Sequence, residues 1–112
     1  MQMQVIDRPD GLTQIKLIGS LDIGGTGEID MKFQGAVTSA REHAIVDMTE
    51  VDFISSLGMR IFVESAKALK RTDHKLILVG CNANVKTALN HARLEQLMEL
   101  VDSEEDAMAV LA

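Results

Sequence analysis

Polar and apolar residues alternate with two different periods along the chain, and the changes of period mark the predicted elements. The opening MQMQVID alternates weakly with the two-residue period of a strand, and LTQIKLIGS does so again after the turn-forming sequence RPDG. These features predict an N-terminal β-hairpin. The segment from Gly19 to Gly27 then holds four glycines in nine residues, a density that predicts a loop.

After this segment, apolar residues recur at helical spacing in separate stretches, with strand-like runs between them. The spacing predicts one helix from Glu28 to near His43, a second that follows Ser56 and ends near Thr72, and a short third helix around residues 85–89. The runs AIVDM and KLILVG lie between these helices. Both are typical of central strands that are covered on both faces.

The C-terminal part of the chain predicts a short edge strand and a final helix. LEQLMELVD indicates a turn followed by that strand, and Ser103 is a typical N-cap for the helix because acidic residues follow it in the first turn. Ala107, Val110 and Leu111 should face inward. Because strands alternate with helices after a hairpin, we expect an α/β sandwich: a mixed sheet of four or five strands, with about four helices mainly on one face.

Composition and charge exclude several classes of protein. The 112 residues suit a single domain over residues 1–112, and 46% hydrophobic with 25% charged residues is typical of a folded chain. The net charge is -6 and no basic cluster stands out, which argues against a nucleic-acid partner. No apolar run reaches the roughly 18 residues that span a bilayer, so we expect no membrane association and a cytoplasmic location.

Cysteine and histidine positions give no sign of a metal or cofactor site. Cys81 is the only cysteine, which fits a reducing compartment, and we expect it to be a buried core thiol. The three histidines show no pair with metal-ligand spacing, so neither a metal nor a cofactor is predicted.

The stretch EVDFISSLGMRIF places two serines where a strand runs into a helix. We predict that Ser56 is the N-cap of this helix, since its hydroxyl can accept a hydrogen bond from a first-turn amide. A phosphate added there would lie against the positive end of the helix dipole and would be tolerated locally. Gly58 costs helix propensity in the first turn, so it either permits close backbone packing or keeps the amides accessible.

The same helix predicts a surface for docking a partner protein. Met59, Arg60, Val63 and Lys67 are spaced so that they share a stripe along the helix, and a stripe of exposed apolar residues beside cations suits such docking. The alternative is that Met59 or Val63 packs against a neighbouring loop.

These residues resemble the STAS domain family, and within it the small anti-sigma factor antagonists of bacterial partner-switching systems. The family's phosphorylation loop reads apolar, Asp, Ser, Ser or Thr, Gly, Leu, Gly, and the matching run here is Phe53 to Arg60. The family's Gly-Glu-Leu-Asp before its first helix is similar to Gly19 to Asp22, and the resemblance extends over nearly the whole chain. It implies the STAS-type sandwich.

The resemblance also implies which residues act. Ser56 takes the place of the phosphoacceptor, with Ser55 as second choice. The implied partner-binding residues are Ser20, Asp22, Ser55, Leu57, Gly58, Met59, Arg60, Val63 and Lys67. Three residues of this group differ from the family pattern: Ser55 replaces an Asp, Ser20 replaces a Glu, and Leu57 is bulkier than the usual residue.

By the same resemblance, the chain is a regulatory protein and not an enzyme. The unphosphorylated form is expected to bind an anti-sigma factor that is also a serine kinase of the GHKL type. Phosphorylation of Ser56 by that kinase breaks the complex, and a PP2C-type phosphatase restores it. A dianion at the centre of a docking face is costly to desolvate, which agrees with this expectation. The free protein is expected to be a monomer.

Other functions have weaker support in the sequence. A STAS module that is never phosphorylated could serve as a scaffold or sensor. The GGTGE stretch suggests a nucleotide-binding loop, or a mobile loop beside the docking face, but it lacks the Walker lysine. A serine hydrolase would use Ser56 as nucleophile with His43, His74 or His91 as base, yet the first glycine of the Gly-x-Ser-x-Gly elbow is missing.

Overall fold

The computed structural model of the chain describes residues 1–6, 8–40 and 42–112, which form one five-stranded sheet with four α-helices. The strands are β1 (Gln2–Ile6), β2 (Thr13–Leu21), β3 (Ala44–Ile54), β4 (Leu76–Val79) and β5 (Glu99–Val101). The helices are α1 (Ile23–Ala40), α2 (Ser56–Lys70), α3 (Ala83–His91) and α4 (Glu104–Leu111), and a 3₁₀ turn, Leu94–Gln96, precedes β5. Asp7, the last residue of the first predicted strand, lies outside the described residues.

The strands lie in the sheet in the order in which they occur in the chain, β1-β2-β3-β4-β5. β1 and β2 form the predicted antiparallel hairpin, while β2, β3, β4 and β5 run parallel to one another. The prediction of a mixed sheet is therefore confirmed. Because β2, β3 and β4 are each followed by a helix and then a parallel neighbour, the loops after these strands lie at one edge of the sheet.

Helices cover the two faces of the sheet unequally, as predicted. α1, α2 and α3 contribute to the larger apolar cluster, in which the rings of Phe33 and Phe62 meet edge to face with centroids 5.5 Å apart. α4 packs on the other face, where Ala107 contacts a smaller cluster built on Ile45 and Ile77. β3 and β4 are therefore covered on both sides, as their continuous apolar runs predicted.

The final helix is capped as expected and is tied to the hairpin by Arg8. The Ser103 hydroxyl accepts a hydrogen bond from the Asp106 amide at 3.1 Å. Arg8 donates from Nη2 to Asp10 at 2.6 Å and from Nη1 to Glu104 of α4. These hydrogen bonds to Asp10 and Glu104 raise the pKa of Arg8, so the guanidinium stays charged and links the β1–β2 turn to α4.

The segment from Gly19 to Gly27 is not a loop, contrary to the prediction. Gly19 belongs to β2, where its φ of 118° coincides with an irregularity in the pairing with β3. α1 begins at Ile23 and includes Gly24, Gly25 and Gly27. The interpretations of GGTGE as a nucleotide-binding loop or a mobile loop are therefore wrong.

Helix boundaries also differ from those predicted. α1 begins five positions before Glu28 and ends at Ala40, before His43, while α2 ends at Lys70 rather than Thr72. The early start of α1 has a local cause. Asp22 caps the helix, since its side chain accepts a hydrogen bond from the Gly25 amide at 2.6 Å and its carbonyl accepts one from Thr26 at 2.9 Å.

Gly25 is needed because the first turn of α1 passes close to the end of β2. A methyl group at Gly25 would overlap the carbonyl oxygen of Ser20, which is a backbone atom. Gly27 lies on the exposed side of the same helix, and a methyl group there would meet no atom within 4 Å. Two neighbouring glycines thus have opposite structural roles.

We predict opposite effects for Gly25→Ala and Gly27→Ala. The first should lower the free energy of unfolding by about 1–3 kcal/mol, because the backbone must shift to admit the methyl group. The second should raise it by about 0.5–1 kcal/mol, because alanine is the better helix former. Urea titration of both variants measures the difference, and equal stabilities would contradict this account of α1.

Two histidines lie at the edge of the sheet where β3 and β4 begin. The rings of His43 and His74 are 5.0 Å apart, and His43 Nδ1 accepts a hydrogen bond from the Lys75 amide at 2.9 Å. Desolvation lowers the pKa of His43, and the positive charges of His74 and Lys75 lower it further. The folded state therefore favours neutral His43.

We predict that the protein loses stability as the pH falls through about 6.5, the value for histidine in an unfolded chain. The unfolded chain then takes up a proton that folded His43 resists, so the free energy of unfolding decreases until the pH lies below the lowered pKa. His43→Gln should remove this part of the dependence. Thermal melts from pH 8 to pH 5 test it, and parallel curves for the two proteins would contradict it.

Candidate functional site

The two serines lie where β3 ends and α2 begins, and we call Ser55, Ser56, Leu57 and Gly58 the serine junction. β3 ends at Ile54 and α2 begins at Ser56. The junction lies against the end of β2, because β2 and β3 pair as far as Leu21 and Ile54. The serines are therefore held at the edge of the sheet where parallel strands end.

Ser55, and not Ser56, is the N-cap of α2. Its backbone is extended, with φ of -92° and ψ of 171°, and its hydroxyl accepts a hydrogen bond from the Gly58 amide at 3.2 Å. The same hydroxyl donates to the Leu21 carbonyl at 2.7 Å, and the Ser55 amide donates to that carbonyl at 2.8 Å. The prediction that Ser56 is the N-cap was wrong by one residue, since the contact with Leu21 selects Ser55.

Ser56 is the first residue of α2, and it is exposed to solvent. Its backbone lies in the first helical turn, where amides have no acceptor within the helix. The Gly58 amide is already used by Ser55, which leaves the amides of Ser56 and Leu57 closest to the helix start. A group attached to the Ser56 hydroxyl would face solvent beside the positive end of the helix dipole.

Gly58 permits close packing, the first of the two roles that the sequence left open. The residue is buried, and a methyl group there would lie 3.0 Å from Cγ1 of Ile54, 3.0 Å from Cβ of Leu21 and 3.2 Å from the Leu21 carbonyl oxygen. Any larger side chain would push α2 away from β2. Gly58 therefore fixes the position of the serine junction without contacting solvent.

The predicted stripe on α2 is only partly exposed. Arg60 and Lys67 face solvent, whereas Met59 and Val63 are half-buried and pack against the larger apolar cluster. Met59 and Val63 do pack within the protein, but against the core and not against a neighbouring loop as the alternative proposed. The stripe offers two cations and the outer parts of two apolar side chains.

The end of β2 brings the other predicted site residues to the same edge. Ser20 donates a hydrogen bond from Oγ to Oδ1 of Asp52 at 2.5 Å, and Asp22 caps α1. Ser20 does not supply the negative charge of the family's Glu, but it holds the carboxylate of Asp52 at this position. The structure therefore brings together Ser20, Asp22 and the serine junction.

Sequence reasoning missed three residues that shape this edge. Ile23 is 75% exposed at the start of α1, and Phe53 is 52% exposed just before the junction. Asn82 caps α3 and donates to the carbonyls of Val51 at 3.2 Å and Asp52 at 3.3 Å, which fixes the end of β3. An Asn directly before a helix is a capping signal that could have identified Asn82.

The histidines are too far from Ser56 for hydrolase chemistry. His43 lies just before β3 and Ser56 lies just after it, so the 11 residues of the strand separate them, in a protein whose longest dimension is 31 Å. His74 precedes the neighbouring parallel strand, so it lies at the same distant edge. His91 ends α3, whose start is tied to the end of β3 by Asn82, so the nine residues of the helix, roughly 13 Å long, separate it from that edge. The hydrolase interpretation is therefore wrong.

Cys81 packs against the larger apolar cluster but is only half-buried, so it is not the buried core thiol that the sequence predicted. Desolvation nevertheless raises its pKa to about 11, which disfavours the reactive thiolate. In the described part of the chain, no group of three or more His, Cys, Asp or Glu side chains could hold a metal ion. None of the helices in these residues is long and apolar enough to cross a membrane.

This chain belongs to the STAS domain family, whose pattern matches residues 2–107. Among similar proteins is the anti-sigma-B factor antagonist of Staphylococcus epidermidis, with 23% identity over 86% of this chain and 89% of the relative. The resemblance to the family suggested by the sequence is therefore confirmed.

Solved structures show the same fold. A STAS-domain anti-sigma-factor antagonist protein from Planctomyces limnophilus superposes with a TM-score of 0.84 at 15% identity, covering 96% of both chains. The Bacillus cell fate determinant SpoIIAA, solved in its phosphorylated form, superposes with a TM-score of 0.72 at 18% identity, covering 99% of this chain and 100% of the other. At these identities the similarity establishes the architecture.

We predict that Ser55→Ala lowers the free energy of unfolding by about 1–2 kcal/mol, because it removes the N-cap and the bond to Leu21. Ser55→Thr keeps a hydroxyl at the same position and should stay within about 0.5 kcal/mol of the original protein. Urea titration of both variants provides the measurement. A Ser55→Ala variant as stable as Ser55→Thr would show that this hydroxyl does not hold the junction.

Proposed function

We propose that this protein is an anti-sigma factor antagonist whose binding is controlled by phosphorylation of Ser56. The unphosphorylated form binds an anti-sigma factor that is also a serine kinase of the GHKL type. Phosphorylation of Ser56 by this kinase breaks the complex, and a PP2C-type phosphatase restores it. The supporting observation is that Ser56 is exposed at the start of α2, while the neighbouring Ser55 hydroxyl is occupied.

The geometry favours Ser56 over Ser55 as the phosphoacceptor. The Ser55 hydroxyl donates to the Leu21 carbonyl and accepts from the Gly58 amide, so a phosphate there would destroy both bonds. It would also place negative charge against the Leu21 carbonyl oxygen. Ser56 makes no contribution to the cap and is open to an approaching kinase.

Charge around the serine junction explains how a phosphate would change binding. Arg60 and Lys67 give the exposed stripe of α2 two positive charges, which complement an acidic surface on a partner. A phosphate on Ser56 adds about -1.5 to -2 charges to this stripe and so offsets them. Because Ser56 lies outside the core, the fold can remain intact while the positive charge of the docking surface is neutralised.

The apolar residues of the same edge suit the centre of an interface. Ile23 and Phe53 are exposed near the serine junction, and large apolar side chains in such positions often mark docking sites for proteins. A dianion beside them would have to be desolvated when a partner binds, which is costly. The same phosphate is well tolerated in the free protein, because the start of a helix favours anions.

Relatives give independent support for this function. The similar Staphylococcus epidermidis protein is named as an anti-sigma-B factor antagonist, and the fold is shared with a SpoIIAA structure in a phosphorylated form. Such a function fits a bacterial cytoplasmic protein that is monomeric when free. Capture of binding partners from the native cell with the Ser56→Ala protein would identify the anti-sigma factor.

We predict that Ser56→Asp remains folded but no longer binds its anti-sigma partner, whereas Ser56→Ala binds constitutively. The added charge should weaken binding at least tenfold, because it lies within the docking surface. Incubation with ATP and GHKL kinases from the same cell, followed by mass spectrometry, should place phosphate on Ser56. Titration of the purified kinase with each variant then measures affinity.

Ser55→Thr is the matched control, since it should bind and be phosphorylated on Ser56 like the original protein. Binding of Ser56→Asp as tight as that of the original protein would contradict the switch. Absence of phosphate on Ser56 with every kinase tested, together with unaltered partner binding, would favour the alternative of a scaffold or sensor module.

A further inference from the structure

Arg60 is held in an ion pair that continues across the surface to α1. Its Nε lies 2.9 Å from Oε1 of Glu64, one turn further along α2. The other carboxylate oxygen of Glu64 accepts a hydrogen bond from Nε2 of Gln34 in α1 at 2.6 Å. Glu64 is therefore shared between a cation on its own helix and an amide on the neighbouring helix.

Arg60 also lies one turn after Ser56, at the same four-residue separation. Side chains four positions apart on a helix are neighbours, so Arg60 can reach either the Ser56 hydroxyl or the Glu64 carboxylate. Its side chain is 71% exposed, which leaves it free to change partners. Arg60 thus lies between one permanent anion and one position that could acquire a phosphate.

We propose that phosphorylation of Ser56 moves Arg60 from Glu64 to the phosphate, so that Arg60 reports the phosphorylation state to the α1–α2 surface. This inference deepens the proposed function and rests on it for its biological role. The exchange itself requires only that a phosphate be present on Ser56.

The order of charges along the helix favours the new pair. An acidic group placed four residues before a basic one interacts better than the reverse order, because it agrees with the helix dipole. The phosphate of residue 56 precedes Arg60, whereas Glu64 follows it. A phosphate also has up to two negative charges and accepts the two-pronged hydrogen bonds that a guanidinium donates.

The ion pair between Arg60 and Glu64 costs little free energy to break. Exposed ion pairs on a helix are weak and are screened by salt, and Glu64 is 44% exposed. Glu64 also retains its short hydrogen bond to Gln34 after Arg60 leaves. Loss of the Arg60 contact therefore does not leave a buried charge without a partner.

Two features of the docking surface would change together. Arg60 would be drawn to the phosphate and would no longer be available to an acidic partner, while Glu64 would add an uncompensated negative charge one turn further along. Both changes oppose binding of an acidic surface. The effect of one phosphate is thereby extended from the serine junction over the next two turns of α2.

The test places phosphoserine at position 56 by genetic encoding, so that it does not depend on any kinase. The second pKa of the phosphate, near 6 in the absence of partners, is measured by ³¹P NMR titration at low salt. We expect it to lie about 0.15 to 0.4 pH unit lower in the otherwise unmodified chain than in Arg60→Ala, because Arg60 stabilises the dianion.

Lys67→Ala is the matched control. It removes one exposed cation from the same stripe, but Lys67 lies 11 residues after Ser56, which is roughly 16 Å along the helix. The phosphate pKa should be almost unchanged in this variant. Equal shifts in Arg60→Ala and Lys67→Ala would indicate a general charge effect and would overturn the proposal, as would no shift in either.

A second readout distinguishes exchange of Arg60 from simple bridging between the two anions. In the unphosphorylated protein, hydrogen bonds from Gln34 and then from Arg60 lower the pKa of Glu64. If Arg60 leaves Glu64, ¹³C NMR titration should show that phosphorylation raises the pKa of Glu64. Arg60→Ala has no ion pair to lose, so this contribution to the rise should be absent in that variant. An unaltered pKa would overturn the exchange.

These measurements separate the proposal from the proposed function. The proposed function fails if native cells contain no phosphate on Ser56 and the Ser56 variants bind alike. The proposal fails if encoded phosphoserine does not engage Arg60, whatever the cell does with Ser56. Each can therefore be contradicted while the other stands.

Discussion

The carbonyl oxygen of Leu21 accepts two hydrogen bonds from Ser55, one from its amide at 2.8 Å and one from its hydroxyl at 2.7 Å, and the site depends on this contact. It fixes where α2 begins relative to the end of β2. The contact is possible only because Gly58 has no side chain, since a methyl group would lie 3.0 Å from Cβ of Leu21. Once Ser55 is fixed, Ser56 is left at the helix start and exposed to solvent. One serine holds the backbone, which leaves the other available for chemistry.

Most of the architecture could be predicted because it depends on periodicity. The hairpin and the buried strands show strand-like patterns with turn residues beside them, and the final helix begins at a capping signal. The prediction of a loop from Gly19 to Gly27 failed for a physical reason. Its glycine content is typical of a loop, but Gly25 is required by the close approach of α1 to the Ser20 carbonyl, and Asp22 supplies the cap. Tertiary contact therefore overrode local propensity, and a contact between distant residues leaves little trace in the local sequence.

The position of the two serines between β3 and α2 was predicted correctly, but their separate structural roles were not. Two adjacent serines before a helix satisfy the capping preference equally, so local sequence could not choose between Ser55 and Ser56. The choice is made by Leu21, which is distant in the chain. Phe53 escaped attention for a related reason: an apolar residue at the end of a strand is usually taken as core, yet here it is 52% exposed. Hydrophobic pattern alone does not tell which apolar residues remain uncovered.

Each strand of the sheet lies beside its neighbour in the chain. This strand order affects which contacts can form first during synthesis. The hydrogen bonds among Leu21, Ser55 and Gly58 lie entirely within β2, α2 and the segment before α2, all of which are synthesised before β4. The pairing of β3 with β4 and the Asn82 contacts to the end of β3 form later. Short-range connectivity of this kind also favours rapid folding. The serine junction is thus built from a continuous stretch of chain that ends at Lys70, and β4, α3, β5 and α4 are all added after it.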